Sequence, residues 1–264
     1  MTPRRTVTLV ATSMRVSLMT AMQYRADFLV EGLMSVYWLA WNLLPLVVLY
    51  GAREQVAGWD QASALIVIGA FVILRAFIEG VISPSLVEFV ERIRTGAFDY
   101  VLLKPADAQL LVSTARFVPW RLVDLLGGVA IVVIGFAQLG RAPAPLDLVL
   151  GAVLLGCGGA AIYALYIVAA AASFWVVRLD NLAFLLSAIF DTARWPVQVF
   201  RGAWRVVFTF VLPLALMTTY PAMALLGRLD ASTAVACAAG AVAMLAVARL
   251  AWRTAIRSYT SASS

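Results

Sequence analysis

The sequence predicts an all-α polytopic membrane protein, on the strength of three observations. Hydrophobic residues make up 63% of the chain and charged residues only 13%, with a mean hydropathy of +0.93. A soluble domain carries roughly a quarter charged residues and about half apolar, so this chain cannot cover a water-facing surface. The apolar residues fall in long continuous runs, each near the roughly 20 residues a helix needs to cross the hydrocarbon core. A membrane barrel would instead show short alternating strands. The formal charge of +6, from 20 Lys and Arg against 14 Asp and Glu, collects between the runs, as expected of cytoplasmic flanks rather than of a nucleic-acid surface.

Residues 4–23 come first. Val7, Val10, Met14 and Leu18 repeat at helical spacing, with Met22 a turn further, and Thr6, Ser13, Arg15 and Ser17 fill the intervening positions. That pattern predicts an amphipathic helix lying in the bilayer interface, with Arg4, Arg5, Arg15 and Arg25 facing anionic lipid. Spans are predicted at 28–50, 62–82, 117–139, 148–177, 181–200 and 231–252, and residues 206–226 form a seventh apolar segment. Basic residues concentrate before residue 28, in the 83–116 loop and after residue 248, whereas the 51–60 and 140–147 loops carry only Arg53 and Arg141. Short-loop Lys and Arg mark the cytoplasmic side, so both termini and the 83–116 loop are predicted inside.

Seven segments with both ends inside conflict in parity, so one of 181–200 and 206–226 does not cross fully. The second contains Pro213 and Pro221, each lacking a backbone donor. Discontinuous backbone at membrane depth is tolerated where it is buried in protein or lines a cavity. Read as a re-entrant hairpin, 206–226 would enter from the outside. Charge bias by itself favours the other solution, with 206–226 crossing and 181–200 lying along the inner face. No linker or repeat divides the chain, which reads as one membrane domain over 1–264.

Within the 84–116 loop, SPSLVEFVERIRTG places Leu86, Phe89, Val90 and Ile93 on one helical stripe. Glu88 and Arg92 form an i,i+4 pair in the favourable order. Gly96 is placed to end this helix, and Pro105 to open the next. Two short helices with a tight joint on the inner face imply a docking partner, although Glu91 or Asp107 alone could simply be solvated.

The run I-R-T-G-A-F-D-Y-V-L-L-K-P resembles the cytoplasmic-loop signature of a bacterial group of type 2 ABC exporter permeases, which reads G-[T/S]-[L/F]-D-x-x-L-L-[R/K]-P; Ala97 departs from it. Residues 195–227 are similar to that group's region around the fifth span, with Pro213, Tyr220 and Pro221 on its prolines and aromatic, and W-R-T-A-I-R-S-Y-T-S-A-S-S is similar to its usual ending. The resemblance implies six spans, an interfacial N-terminal helix, and a re-entrant hairpin at 206–226 between spans five and six. It also implies a coupling helix in the 84–116 loop, with Glu88, Glu91, Arg92, Arg94, Gly96, Asp99, Lys104 and Pro105 facing the ATPase. The implied assembly has two ATPase copies and a second permease, identical or related, in the bacterial inner membrane.

No G-x-x-x-x-G-K-[ST] run occurs, so this chain would bind no nucleotide itself. ATP and Mg²⁺ would belong to the partner ATPase. The absence of histidine removes Ser–His dyads and His-ligated metal sites, which argues against an intramembrane enzyme. An ion-driven secondary transporter is the competing reading, but it calls for paired broken helices in two related halves. Charges inside spans are costly and mark function by default. Arg75 and Glu79 stand one turn apart, Asp124 follows Arg121 by three residues, and Asp191 with Arg194 is expected near the outer end of span five. The first two pairs read as self-neutralising, while Asp191 and Arg194 would be placed for access to a pore. Gly156, Ala160 and Ala164, and Ala236 with Gly240, are spaced for close helix packing.

Overall fold

The computed structural model describes residues 3–23, 25–175 and 182–259, and they are almost entirely helical. Helix α1 (Pro3–Gln23) precedes α2 (Arg25–Ala52), and a two-residue hairpin, β1 (Gln55–Val56) with β2 (Trp59–Asp60), leads into α3 (Gln61–Phe77). A π-helical turn, Ile78–Ile82, joins α3 to α4 (Ser83–Arg94) without a break. Short helices α5 (Asp99–Leu102) and α6 (Ala108–Ser113) follow, then α7 (Leu122–Gln138) and α8 (Pro145–Ala172). After α9 (Leu182–Asp191) the chain is broken until α10 (Ala203–Val206), α11 (Tyr220–Leu225) and α12 (Ala231–Arg257).

Among the described residues, five helical stretches are long and apolar enough to cross a bilayer: Leu29–Ala52, Gln61–Arg94, Pro119–Gln138, Pro145–Ala172 and Ala231–Arg257. Their outward faces carry Leu33, Val48, Leu126, Val133, Val153, Val242 and Leu250, all well exposed. Such a surface would aggregate in water, and lipid is the solvent that suits it. The apolar face of α1 is exposed in the same way, through Val7, Met14, Met19 and Met22. The expected fifth span, 181–200, is not one helix. Pro196 forces Trp195 into extended backbone (φ −100°, ψ 141°) and ends the helical run begun by α9.

Helix α3 is the buried pillar. It crosses α7 at Gly69 and Gly128, where a Cβ on Gly69 would lie 2.5 Å from Val132 Cγ2 and 2.9 Å from the Gly128 carbonyl. On α8 the close approach falls at Gly158, whose Cβ would lie 2.9 Å from the Met217 Cα and carbonyl oxygen. The spacing expected to pack helices is therefore displaced: Gly156 and Gly240 face open space.

The path after α9 follows from its contacts. Thr218 Oγ1 donates to the Ala193 carbonyl (2.7 Å), Val197 N–H donates to Thr219 Oγ1 (3.1 Å), and Gln198 lies against Met223. Residues 193–198 and 218–223 thus run in parallel, so the chain between them must turn back on itself. Residues 217–225 climb α8 from Gly158 to Gly151, and Arg141, in the α7–α8 turn, caps the climb by donating to the Leu226 carbonyl (2.9 Å).

Candidate functional site

Two constellations stand out, one at the α4–α6 elbow and one where α3, α7 and α9 meet. At the elbow Pro84 has no N–H to offer the carbonyl of Gly80, four residues earlier. Val118 N–H donates to that carbonyl instead (2.8 Å). Ser85 Oγ donates to the Arg116 carbonyl (3.0 Å) and accepts from Arg116 N–H (3.2 Å). The two ends of the 84–116 segment are therefore stapled together by groups the proline and serine supply.

The stripe on α4 faces inward, with Leu86 and Phe89 buried and Val90 and Ile93 half-buried. Arg92 pairs with Glu88, and Arg94 pairs with Glu91 at 2.9 Å on the exposed side. Gly96, at φ +73°, takes the left-handed conformation that ends the helix. Its N–H donates to the Ile93 carbonyl (3.1 Å), and Phe98 N–H donates to that of Arg92 (3.0 Å). Asp99 opens α5. Lys104 and Pro105 are exposed, but Pro105 does not open a helix. It centres a tight turn closed by Ala106 N–H on the Lys104 carbonyl (2.7 Å). Helix α6 starts at Ala108, N-capped by Asp107, which accepts from Leu110 N–H (3.2 Å).

Phe98 is fully buried in a box of five aromatics, Phe89, Phe98, Phe174, Trp252 and Tyr259, with centroids 5.2 to 5.9 Å apart. The box bolts the Gly96 turn to the end of α8 and to α12. A second bolt is polar. Arg249 of α12 donates to Asp107 (2.5 Å) and Gln109 (2.6 Å), Gln109 donates to Tyr163 of α8 (3.1 Å), and Ser113 shares a hydrogen bond with Tyr163 (2.8 Å). Hydrogen bonding to Arg249 holds the Asp107 carboxyl below its ordinary range. Burial, then the Asp99 carboxylate, push the Tyr259 phenol up. With its inner side pinned, the elbow turns Tyr100 and Leu103 outward, 72% and 80% exposed.

The second constellation joins charges that looked like separate pairs. Arg75 Nε donates to Glu79 (2.8 Å), while its Nη1 lies 3.5 Å from Asp191. Arg121 lies 2.5 Å from the second Glu79 oxygen and 2.8 Å from Asp124, and Arg194 lies 3.7 Å from Asp191. Three arginines and three carboxylates thus alternate in one chain, Arg194–Asp191–Arg75–Glu79–Arg121–Asp124, with side chains 12% to 41% exposed. Glu79 sits in the π-helical turn, which re-aims side chains relative to the helix above it. Arg194 also lies over Phe71, 5.6 Å from its centroid, and Phe71 stacks on Phe190 at 5.0 Å.

Fourteen residues separate Arg75 from the start of α3, a rise of about 21 Å, so the network sits on the elbow's side of the bundle. Asp191 and Arg194, expected near the outer end of span five, share that side of the bundle with Arg75. Pro213 is buried at the break between two π-helical turns, Val207–Val211 and Ala215–Thr219, while Pro221, also buried, follows half-buried Tyr220 at the start of α11. The aromatic box went unread in sequence. Arg121 showed only its local spacing to Asp124, and nothing local ties it to Glu79.

No curated protein and no solved structure matches the chain. Residues 36–263 match the family described as ABC-2 family transporter protein. That match covers most of the chain, and its position is consistent with the apolar helices just described. This multi-pass membrane protein belongs to the ABC-2 transporter family, whose members are the permease components that work with an ABC ATPase.

Proposed function

We propose that the chain is the permease subunit of an ATP-driven exporter, carrying a hydrophobic or amphiphilic compound such as a drug, peptide antibiotic or lipid-like molecule. A separate ATPase subunit, in two copies, binds ATP and Mg²⁺ and acts on the α4–α6 elbow. A second permease, identical or related, completes the path. In this reading α2, α3–α4, α7, α8, the broken 182–199 segment and α12 are the six crossings, and 203–225 is the re-entrant hairpin. The elbow and both termini lie on the ATPase side of a bacterial inner membrane, with α1 in the interface.

The observation that carries the reading is the exposure of Tyr100 and Leu103 on a turn whose other side is bolted to α8 and α12. A push on that pair would reach two long helices without passing through a flexible joint. A carrier driven by an ion gradient would need a carboxylate left uncompensated at membrane depth. In the described network each carboxylate has an arginine within 4 Å.

The test is reconstitution with the cognate ATPase in proteoliposomes. Tyr100→Asp with Leu103→Asp is expected to abolish ATPase capture and ATP-dependent efflux while leaving the permease folded. Transport by this chain with no ATPase present, or full efflux by the double variant, overturns the proposal.

A further inference from the structure

Helices α7 and α8 each pack on α3 and leave a groove between them. It consists of two cavities that meet at Ile73 and Leu155, about 730 Å³ toward the Arg141 end and about 910 Å³ toward α1. The larger cavity is lined by apolar side chains apart from Arg15, Arg121 and Tyr163, and no carboxylate lines it. Arg121 is already committed to Glu79 and Asp124, although its Nε is buried with no hydrogen-bond partner among the described residues. Arg15 is exposed and has no ion pair among them. An uncompensated cation therefore stands at one end of an apolar slot. Met14 and Leu18 of α1 close that end, and Ser17 Oγ, which accepts from Phe117 N–H (3.2 Å), ties α1 there.

We propose that this cavity binds one anionic phospholipid, its acyl chain along Ile73, Phe77 and Leu155 and its phosphate on Arg15. Charge complementarity selects the headgroup, and shape selects the chain. A transmembrane helix of a second copy, about 10 Å across, would run into α1, whereas a flexible acyl tail ends short of it. Depth comes from Gly156, on which a Cβ would meet nothing within 4 Å. A larger side chain there fills the slot without displacing a neighbour. The site is separate from the elbow and does not depend on how the chain is energised.

The test titrates the detergent-purified full chain with phosphatidylglycerol or phosphatidylcholine of identical acyl chains and counts retained lipid by native mass spectrometry. One phosphatidylglycerol per chain is expected, held about fivefold more tightly than phosphatidylcholine, the effect of one cation near an anionic headgroup. Arg15→Gln is expected to erase that preference. Gly156→Leu is expected to lose the bound lipid of either kind, and Gly156→Ala to keep it, with unchanged thermal unfolding showing that both variants fold. Equal retention by wild type and Gly156→Leu overturns the proposal. So does equal affinity for the two lipids, or a chain dimer that Gly156→Leu dissociates in lipid-free detergent, which would make a second copy the occupant.

Discussion

The elbow (residues 83–116) and the broken path after α9 (residues 192–226) are both interrupted by proline, yet they resolve the interruption in opposite ways. At the elbow the backbone freed by Pro84 and turned by Gly96 is satisfied by other backbone groups and by Ser85, while ion pairs and Tyr100 face outward. Along 192–226 the breaks at Pro196 and Pro213 lie against α3 and α8, and the hydroxyls of Thr218 and Thr219 do the satisfying. The first is a stiff lever with an exposed tip. The second is a buried insertion whose polar groups have no water to fall back on. The difference teaches where each should fail: the lever by losing its anchor, the insertion by losing a single hydrogen bond.

The anchor gives the largest effect. Phe98→Ala removes the ring that ties the Gly96 turn into the aromatic box, and a void of that size costs about 4 kcal/mol. A large drop in the thermal midpoint in detergent is expected, with loss of coupling at temperatures where the variant is still folded. Little change in midpoint would mean that the elbow is not pinned through this box. Next comes the charge network that separates the two regions. Arg75→Leu cuts the bridge between the Glu79–Arg121 and Asp191–Arg194 pairs and leaves the network one negative charge in excess, at a cost of about 2 kcal/mol in this part-exposed setting. The double variant Arg75→Leu with Asp191→Asn should recover part of it, and no recovery would show that the α3–α9 link is incidental. In the insertion itself, Thr218→Val keeps the shape but leaves the Ala193 carbonyl without its donor, a loss of about 2 kcal/mol. Thr218→Ser should restore most of it.

How much of this could be read from the sequence differs between the same two regions. On α4 the stripe of Leu86, Phe89, Val90 and Ile93 is local and periodic, and so is the stop at Gly96, because a helix end is written within a few residues. What escaped there was tertiary: Phe98 meets Phe174 and Tyr259, and Phe89 meets Trp252, all from distant parts of the chain. Pro105 was misread as a helix start because a proline before Ala106-Asp107 fits both a first helical turn and the tight turn it actually makes. The hairpin at Gln55–Asp60 carried a local signal that went unused, the Ala57-Gly58 turn with both residues at positive φ. In the insertion, apolar composition marked 181–200 and 206–226 but could not order them, and the Thr218–Ala193, Val197–Thr219 and Gln198–Met223 contacts show the path. The charge network was half legible: its i,i+3 and i,i+4 pairs were visible, but Arg75–Asp191 and Arg121–Glu79 bridge elements that sequence spacing cannot bring together.

Smaller effects sharpen the picture of the lever. Gly96→Ala must hold a Cβ at φ +73°, which costs about 1 kcal/mol. Because the turn sits between α4 and Phe98, the same change should weaken coupling more than its effect on the midpoint suggests. Gly140→Ala, at a similar φ of +66° in the α7–α8 turn, is the control expected to cost as much stability and no coupling.

The smallest effect is the one that pH reads. Arg249 holds the Asp107 carboxyl below its ordinary value of 3.8, so the group binds its proton less readily in the folded chain than in the unfolded one. A depressed carboxyl contributes stability that is fully present above the unfolded value and is lost as the pH falls through the folded one. The Asp107–Arg249 clamp should therefore hold undiminished from neutral pH down to about 4 and weaken only in more acid solution. With the Asp107 side chain 41% exposed, solvent screening keeps the gain under about 1 kcal/mol. Asp107→Asn should lower the midpoint slightly at pH 7, and the difference from wild type should shrink as the pH drops below 4. A difference that stays constant across that range would mean that the N-cap hydrogen bond to Leu110, rather than the ion pair, is what Asp107 contributes to the lever.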